Sequence, residues 1–306
     1  MGAGDEQRED AEQDVILYGV DDGIATITLN RPRYNNAQTG RLLYALDDAF
    51  KRAAGDDAVK AIVLRGAGKH FTAGHDIGSP ERDVDQSQER VTLWYDHSDK
   101  VGGEFLYARE SDVYLGLCRR WREIPKPTIA MVQGACISGG LMLAWVCDLI
   151  IASDDAFFAD PVVHMGIPGV EYFAHAYELH PRIAKEFLMM GERMSADRAY
   201  QMGMVNRVFP LAELAAETYR IARKIAGMPR LGLALTKQAI NHVEDLQGKR
   251  SAMDAAFAWH HFAHAQNIIE SGDRLGGLDA KAMSRINKQI DNKQPVTGAP
   301  PADKSE

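Results

Sequence analysis

The sequence has 306 residues, of which 45% are hydrophobic and 25% are charged, a balance typical of a globular protein with a large buried core. The formal net charge of -8 argues against nucleic acid as the main partner, because phosphate binding favours a basic protein face. No apolar run approaches the ~20 residues that a membrane-spanning helix needs, so we expect no membrane partner.

The two ends of the sequence and its cysteines are used to predict the cellular compartment. Residues 1–13 and 291–306 are predicted to be disordered tails, and the first of them lacks the apolar core of a signal peptide. Cys118, Cys136 and Cys147 show neither a CxxC pair nor zinc-finger spacing. Such sparse thiols are typical of core residues in a reducing compartment, so we expect a cytoplasmic protein.

The N-terminal part of the chain alternates strand and helix patterns. The segments VILYGV and IATITL flank Asp21-Asp22-Gly23, a turn sequence typical of a β-hairpin. Apolar residues at helical spacing then predict a helix over residues 39–53. Buried strands are predicted at residues 60–66, 128–134 and 149–153.

The rest of the chain divides into a polar stretch and a helical region. Residues 77–123 are mostly polar until a helical pattern at their end, and their aromatic residues favour either core packing or a ligand pocket or subunit contact. Beyond residue 181 the pattern is helical. We predict an α/β core over residues 14–195 and a helical region over residues 196–290. The aromatic residues are Trp94, Tyr95, Tyr107 and Tyr114, and the helices lie near 182–190, 196–202, 211–227, 230–243, 249–270 and 279–290.

Two segments place glycine beside the end of a strand, RGAGKHFTAGHDIG (65–78) and QGACISGGLMLAW (133–145). Gly139 and Gly140 immediately precede a predicted helix, where backbone amides have no partner within the helix and face the positive end of its dipole. Such amides bind an anion or a polarised carbonyl oxygen, and two of them from two loops form an oxyanion hole. The alternative is that the glycines only allow close packing of helix and strand.

Competing motifs fail on spacing. GAGKH lacks the first glycine and the hydroxyl residue of a phosphate-binding P-loop, and Ser138 does not lie in a G-x-S-x-G elbow. His260 and His264 are four residues apart, as in helical metal sites, but the His-Glu-x-x-His pattern is absent. We therefore expect packing or solvated histidines and no metal ion.

Five segments, in this order along the chain, resemble the crotonase or enoyl-CoA hydratase/isomerase superfamily. They are IATITLNRPRYNNA, AIVLRGAGKHFTAGHDIG, PKPTIAMVQGACISGGLMLAWVCDLIIAS, FFADPVVHMGIPG and MSADRAYQMGMVNRVFP, and the resemblance spans residues 15–265. It implies an α/β fold with a spiral core of ββα turns, a helical C-terminal region and assembly as a homotrimer or homohexamer. It also implies an acyl-CoA thioester substrate and an enolate intermediate, with coenzyme A entering as part of the substrate and no separate cofactor.

The resemblance assigns the two oxyanion donors to the backbone amides of His75 and Gly139. It also implies that coenzyme A contacts the backbone of the loop containing Phe71, Ala73 and Asp76. Lys69 and Arg33 are candidates for the phosphates, with solvated surface charges as the alternative.

The hydratases of this family use two glutamates, and their positions fall here on Met142 and Val162. We expect both residues to contact the substrate, but neither side chain can transfer a proton. A general acid or base contributes about 10²- to 10⁴-fold in rate, so the loss of both argues against ordinary hydration.

Several other side chains are candidates to replace the glutamates. Glu171 comes first, with partial burial expected to raise its pKa. His164 follows, because on an extended segment it shares a side with Val162. His75 could add its imidazole, although we expect mainly its backbone amide to matter. Asp160 is expected to cap the turn at Pro161, and Asp148 to form structural hydrogen bonds.

Three hypotheses remain open from the sequence. The first is proton transfer or isomerisation on an acyl-CoA through Glu171 or His164. The second is hydrolysis or dehalogenation of an unusual thioester or β-diketone, with Glu171 as nucleophile or base. The third is a non-catalytic protein that binds acyl-CoA, which would show binding without turnover.

Overall fold

The structure is a computed structural model that describes residues 14–79, 99–278 and 281–286. The predicted disordered tails lie outside the described residues, as do Trp94 and Tyr95 and half of the predicted last helix. The boundary between an α/β core and a helical region at residue 195 remains a prediction.

The core contains a six-stranded sheet in the order β1-β2-β3-β4-β6-β9 and a three-stranded sheet in the order β5-β7-β8. In the larger sheet only β1 and β2 pair antiparallel, and every other neighbouring pair is parallel. The strands are β1 Ile16–Asp21, β2 Ile24–Leu29, β3 Ala61–Gly66, β4 Thr128–Val132, β5 Ala135–Ile137, β6 Leu149–Ser153, β7 Phe157–Ala159, β8 Met194–Ser195 and β9 Arg207–Phe209. The predicted strands of the larger sheet are confirmed, whereas β5, β7, β8 and β9 were not predicted.

The predicted hairpin joins β1 and β2. Asp22 and Gly23 have φ angles of 46° and 73°, so both turn residues lie in the left-handed region that a tight two-residue hairpin turn requires. Asp21 pairs with Ile24 at the end of the ladder, which confirms the hairpin.

Helices cover both faces of the parallel strands, and further helices follow the last strand in sequence. The predicted helices that lie within the described residues are confirmed to within a few residues at each end. The helices of the described residues are α1 Gly40–Gly55, α2 Gly102–Glu110, α3 Leu117–Arg122, α4 Gly139–Trp145, α5 His175–Glu178, α6 Pro181–Met190, α7 Ala196–Gln201, α8 Leu211–Ala226, α9 Arg230–Leu246 and α10 Lys249–Ser271, with a π-helical turn at Ser111–Gly116 and a further helical piece at 281–286. Of these, α2 and α5 were not predicted.

Parallel strands are stable when both of their faces are covered, and the two faces here lie against different helices. Ile62 and Leu64 of β3 belong to the main core, which includes the apolar face of α1. Val63, between them, points to the opposite face and belongs to a second cluster with Leu214 and Ala222 of α8. The alternation of side chains along β3 therefore places one helix on each face of the sheet.

The three cysteines are buried and free, as predicted. Burial raises the pKa of the Cys147 thiol to about 12 and raises that of Cys118 and Cys136 well above the usual value, so these thiols are poor nucleophiles. Among the helices of the described ranges, none combines the length and the apolar character needed to cross a membrane.

A buried ion pair fixes the loop that follows β3. Arg31 Nη1 lies 2.9 Å from Asp76 Oδ2, and both side chains are almost fully buried. Asp76 Oδ1 also accepts hydrogen bonds from the backbone amides of Gly78 and Ser79. Burial alone raises the pKa of Asp76, but the hydrogen bonds from Ser79 and Arg31 more than offset it and hold the pKa below its usual value. The side chain of Asp76 is thus held within the protein.

We predict that Asp76→Asn lowers the free energy of unfolding by about 3 kcal/mol at pH 7, because it removes the carboxylate charge that pairs with the buried guanidinium of Arg31. Since the folded-state pKa of Asp76 is depressed, this difference is present above the unfolded-state pKa of about 3.9 and shrinks as the pH falls below it. Urea unfolding at a series of pH values measures the effect. Asp48→Asn, at an exposed residue beside Lys51, is the control and should cost less than about 1 kcal/mol. Equal losses in the two variants would contradict the prediction.

Candidate functional site

The loop after β3 runs between two neighbouring segments. On one side, Thr72 exchanges backbone hydrogen bonds with Ala135 and Ile137 of β5. On the other side, Gln38 N donates to Gly74 O at 2.8 Å, and Asp76 N donates to Gln38 O at 3.0 Å. The loop is therefore held from both sides by backbone hydrogen bonds.

This pairing determines where the His75 amide points. Because the residues on either side of His75 bond to Gln38, the N–H of His75 itself faces the opposite side, toward the turn between β5 and α4. The His75 amide has no protein acceptor among the described residues, and the same holds for the Gly139 amide at the first position of α4. An amide at that position has no partner within its helix.

Glycine allows the loop and the turn to come into contact. A Cβ atom added to Gly74 would lie 2.6 Å from Ile137 O and 3.2 Å from Gly139 N. A Cβ added to Gly139 would lie 2.7 Å from Cε1 of His75. Ser138, with φ at 47°, makes the sharp turn from β5 into α4 in a conformation that is costly for a residue with a side chain. The two unpartnered amides consequently lie on segments in direct contact.

The alternative role of the glycine pair, close packing of helix and strand, applies to Gly140. A Cβ on Gly140 would lie 2.9 Å from Cγ2 of Thr72 and 3.1 Å from its carbonyl oxygen, so Gly140 is required for close packing. Gly139 combines a tight contact with an amide that has no acceptor among the described residues.

Beside the amides lies a buried pair formed by His75 and Glu171. His75 Nε2 donates to Glu171 Oε2 at 3.0 Å, and the exposed fractions of the two side chains are 18% and 5%. The ring of Tyr114 stacks on the imidazole, with centroids 4.0 Å apart. His75 Nδ1 has no hydrogen-bond partner among the described residues and lies on the ring edge that faces Gly139. In a neutral ring that donates through Nε2, Nδ1 carries a lone pair.

The expected rise in the pKa of Glu171 is wrong. Burial does raise the pKa, as expected, but the charge and hydrogen bond of His75 outweigh burial and hold the pKa below its usual value. Sequence reasoning missed this partner because residues 75 and 171 lie on distant loops. Glu171 is consequently an ionised carboxylate at neutral pH.

Comparison with known proteins identifies the family. The model of the family "Enoyl-CoA hydratase/isomerase" matches residues 19–275. The chain belongs to the enoyl-CoA hydratase/isomerase family. The predicted fold, an α/β spiral core followed by C-terminal helices, is confirmed by solved structures of this family.

The chain is similar in sequence to relatives in this family that carry different names. The chain is 43% identical over 278 residues to the "Putative enoyl-CoA hydratase EchA13" of Mycobacterium tuberculosis, covering 89% of this chain and 87% of that protein. It is 33% identical over 285 residues to "4-chlorobenzoyl coenzyme A dehalogenase-1" of Arthrobacter sp, covering 88% of this chain and 92% of that protein.

Solved structures agree with these sequence relations. A probable enoyl-CoA hydratase from Mycobacterium smegmatis superposes with a TM-score of 0.77 at 47% identity, covering 86% of this chain and 98% of that one. A probable enoyl-CoA hydratase from Mycobacterium thermoresistibile gives the same TM-score at 50% identity, covering 85% of this chain and 98% of that one.

The segment containing Val162 and His164 is helical and not extended as expected. Pro161–Met165 forms a 3-10 helix with about three residues per turn, so residues two apart point to different sides. His164 is exposed, and its Nε2 lies 2.9 Å from the position of a Cβ added to Gly191, which places the imidazole on the outer side of the segment. Val162 is half-buried beside the apolar cluster of Met165 and Ile167. The inference that His164 and Val162 share one side is therefore wrong.

Met142 packs in the core, and Asp160 and Asp148 form hydrogen bonds within the protein. Met142 is 2% exposed and belongs to the main core. Asp160 accepts from His175 Nε2 at 2.9 Å and from the amide of Val170 at 3.2 Å, and makes no side-chain cap, so the capping prediction is wrong. It instead holds the turn that carries Glu171. Asp148 accepts hydrogen bonds from Thr128 and Lys237, as predicted.

The residues expected to bind coenzyme A remain predictions. Phe71 is fully buried and Ala73 is half-buried, whereas Lys69 and Arg33 are exposed on the loops on either side of this site. The Arg33 guanidinium lies 5.6 Å above the ring of Tyr34. In the 71–76 loop every backbone amide except that of His75 already donates a hydrogen bond within the protein. The carboxylate of Asp76 is likewise bonded to Arg31.

We predict that Gly139→Ala lowers the free energy of unfolding by about 1–3 kcal/mol, because the added methyl group overlaps Gln38 and His75. Thermal or urea unfolding measures the change. Gly103→Ala is the matched control, since a Cβ there meets no atom within 4 Å, and in α2 it should stabilise by about 0.4–1 kcal/mol. Unchanged stability of Gly139→Ala would show that the two segments are not in the described contact.

Proposed function

We propose that this family member is an enzyme that acts on an acyl-CoA thioester, and that the backbone amides of His75 and Gly139 bind its carbonyl oxygen. The observation that carries the proposal is two unpartnered amides on contacting segments, immediately beside the buried pair of His75 and Glu171. Two such donors stabilise the negative charge that develops on the oxygen when a proton leaves the neighbouring carbon.

The pair of His75 and Glu171 transfers the proton in this proposal. Glu171 accepts from Nε2 of His75 and so leaves Nδ1 with the lone pair that a base requires. When the imidazole takes up a proton, the buried carboxylate stabilises the resulting cation, as the aspartate does in serine-protease triads. His164 has no part in this proposal, because its imidazole lies on the outer side of its segment.

Ordinary two-glutamate hydration is not the proposed reaction. The positions of the two hydratase glutamates fall on Met142 and Val162, and the first of these is packed into the main core. Isomerisation needs only that one group removes and returns a proton near the oxyanion hole. One proton-transfer pair, His75 with Glu171, therefore supports isomerisation better than addition of water.

A second candidate function uses Glu171 as a nucleophile. Its carboxylate is ionised, and the chain is similar to two 4-chlorobenzoyl coenzyme A dehalogenases of Arthrobacter sp. In such a reaction the carboxylate attacks the carbon that bears the halogen, the carbon–halogen bond breaks and the halide leaves, and water then hydrolyses the resulting ester. The remaining alternative, a non-catalytic protein that binds acyl-CoA, corresponds to binding without turnover.

We further propose assembly into a homotrimer or homohexamer through the C-terminal helices. Large apolar side chains are exposed on both long helices of this region, which is unusual for a surface without a partner. They are Leu231, Leu235, Ile240, Val243 and Leu246 on α9, and Trp259, Phe262 and Ile269 on α10. A cytoplasmic location, expected from the sparse cysteines, remains a prediction.

We predict that Glu171→Gln and His75→Ala each lower turnover by about 10²- to 10⁴-fold, whereas CoA-thioester binding is retained. His75→Ala removes the imidazole but keeps the backbone amide, so it separates the base from the oxyanion hole. A panel of saturated, enoyl and aryl CoA thioesters identifies the fastest substrate, and calorimetry measures binding. Glu186→Gln, at an exposed residue of α6, is the control and should leave turnover unchanged. Binding of thioesters without turnover of any by the wild type would contradict the catalytic proposal.

The nucleophile mechanism predicts a covalent ester on Glu171. Aryl and haloacyl CoA thioesters are mixed with the protein and quenched in acid within milliseconds, and the peptide containing Glu171 is analysed by mass spectrometry. A mass increase on that peptide equal to the CoA thioester without its halogen supports the second candidate. Rapid turnover in H₂¹⁸O without ¹⁸O in the carboxylate of Glu171 excludes it.

A further inference from the structure

Behind Glu171, the C-terminal helix α10 brings histidines against the end of α2. Glu110, His260 and His264 are each 4% exposed, and they lie in contact although residues 110 and 260 are far apart in sequence. His260 Nε2 also lies 3.6 Å from Glu171 Oε1. The acidic partner that sequence spacing did not provide for these histidines is therefore supplied by the fold.

Hydrogen bonds fix which nitrogen of each ring carries a proton. His260 Nδ1 donates to Gly169 O at 2.8 Å, and His264 Nδ1 donates to Arg274 O at 2.9 Å. In neutral rings both Nε2 atoms then carry lone pairs, yet they face each other at 2.9 Å. Two facing lone pairs repel unless a cation or a shared proton lies between them.

The separations of these atoms match a metal ion better than a shared proton. Glu110 Oε2 lies 3.6 Å from His260 Nε2 and 4.0 Å from His264 Nε2. Together with the 2.9 Å between the nitrogens, these distances place all three atoms on a circle of radius about 2.1 Å, the usual length of a zinc–nitrogen or zinc–oxygen bond. One ion thus reaches all three atoms with little movement.

The carboxylate of Glu110 supports a ligand in the same place. Its Oε2 atom is buried, has no hydrogen-bond partner among the described residues, and points at the histidines. His261 Nε2, 3.3 Å from the same oxygen, also has no hydrogen-bond partner there.

We propose that Glu110, His260 and His264 bind a divalent transition-metal ion through one carboxylate oxygen and two Nε2 atoms. Imidazole with carboxylate favours Zn²⁺, Fe²⁺ or Mn²⁺ over hard cations that prefer oxygen alone. The bonds from both Nδ1 atoms to backbone carbonyls are the outer partners that metal-binding histidines usually have. The ion would join α2 to α10 and place positive charge beside Glu171. This site does not depend on the proposed acyl-CoA chemistry.

Cobalt binding tests the site without any enzyme assay. Protein without a histidine tag is stripped with EDTA, dialysed and titrated with Co²⁺, whose visible absorption reports coordination by nitrogen and oxygen. We expect one Co²⁺ per chain, displaced by Zn²⁺. Glu110→Gln and His264→Ala should weaken Co²⁺ binding by more than about 100-fold. Loss of a group that only hydrogen-bonds to a metal ligand lowers metal affinity by about 10- to 100-fold, so a larger loss indicates a direct ligand. His242→Ala, at an exposed histidine of α9, is the matched control and should bind like the wild type.

Two results would overturn the proposal. One is a wild-type protein that binds no stoichiometric Co²⁺, and the other is unchanged affinity in folded Glu110→Gln. Circular dichroism verifies folding of each variant. If a variant does not fold, crystals of the wild type grown with Zn²⁺ decide the question. An anomalous peak within about 2.3 Å of the three ligand atoms supports the site, and its absence means that the histidines share a proton.

Discussion

The site depends on one close contact between two backbone segments, Gly74–His75 and Ser138–Gly139. Glycine at positions 74 and 139 removes the side chains that would separate them, and Ser138 adopts a left-handed conformation to turn β5 into α4. Because the loop is also bonded to Gln38, its amide at position 75 is directed away from that partner. The buried ion pair of Arg31 and Asp76 fixes the same loop at the residue after His75. Strain and packing thereby prepare two donors before any ligand binds.

The C-terminal helices belong to this site as well as to the surface. Helix α10 places His260 within 3.6 Å of Glu171, so the boundary predicted at residue 195 passes through one cluster of charged groups. Glu171 interacts with His75 on one side and with His260 on the other. The proposed proton-transfer pair and the proposed metal site therefore lie on either side of Glu171, but only the proton-transfer proposal uses its carboxylate.

Local patterns predicted the fold better than the site. Alternation and turn residues predicted the hairpin at Asp22–Gly23, and helical spacing predicted α6 to α10 closely, because these features depend on neighbouring residues. The short strands β5, β7 and β8 were missed because two or three residues carry too little pattern. The pKa of Glu171 and the carboxylate beside His260 depend on residues far apart in sequence, which no spacing rule contains.

A crystal structure of the protein with crotonyl-CoA tests the central claim most directly, since it locates the thioester oxygen independently of any turnover. The account predicts that this oxygen lies about 2.7–3.1 Å from both the His75 and Gly139 nitrogens. It also predicts that the acyl chain extends toward the imidazole of His75. A thioester oxygen bonded to neither amide, or coenzyme A bound to another face of the protein, would contradict the account.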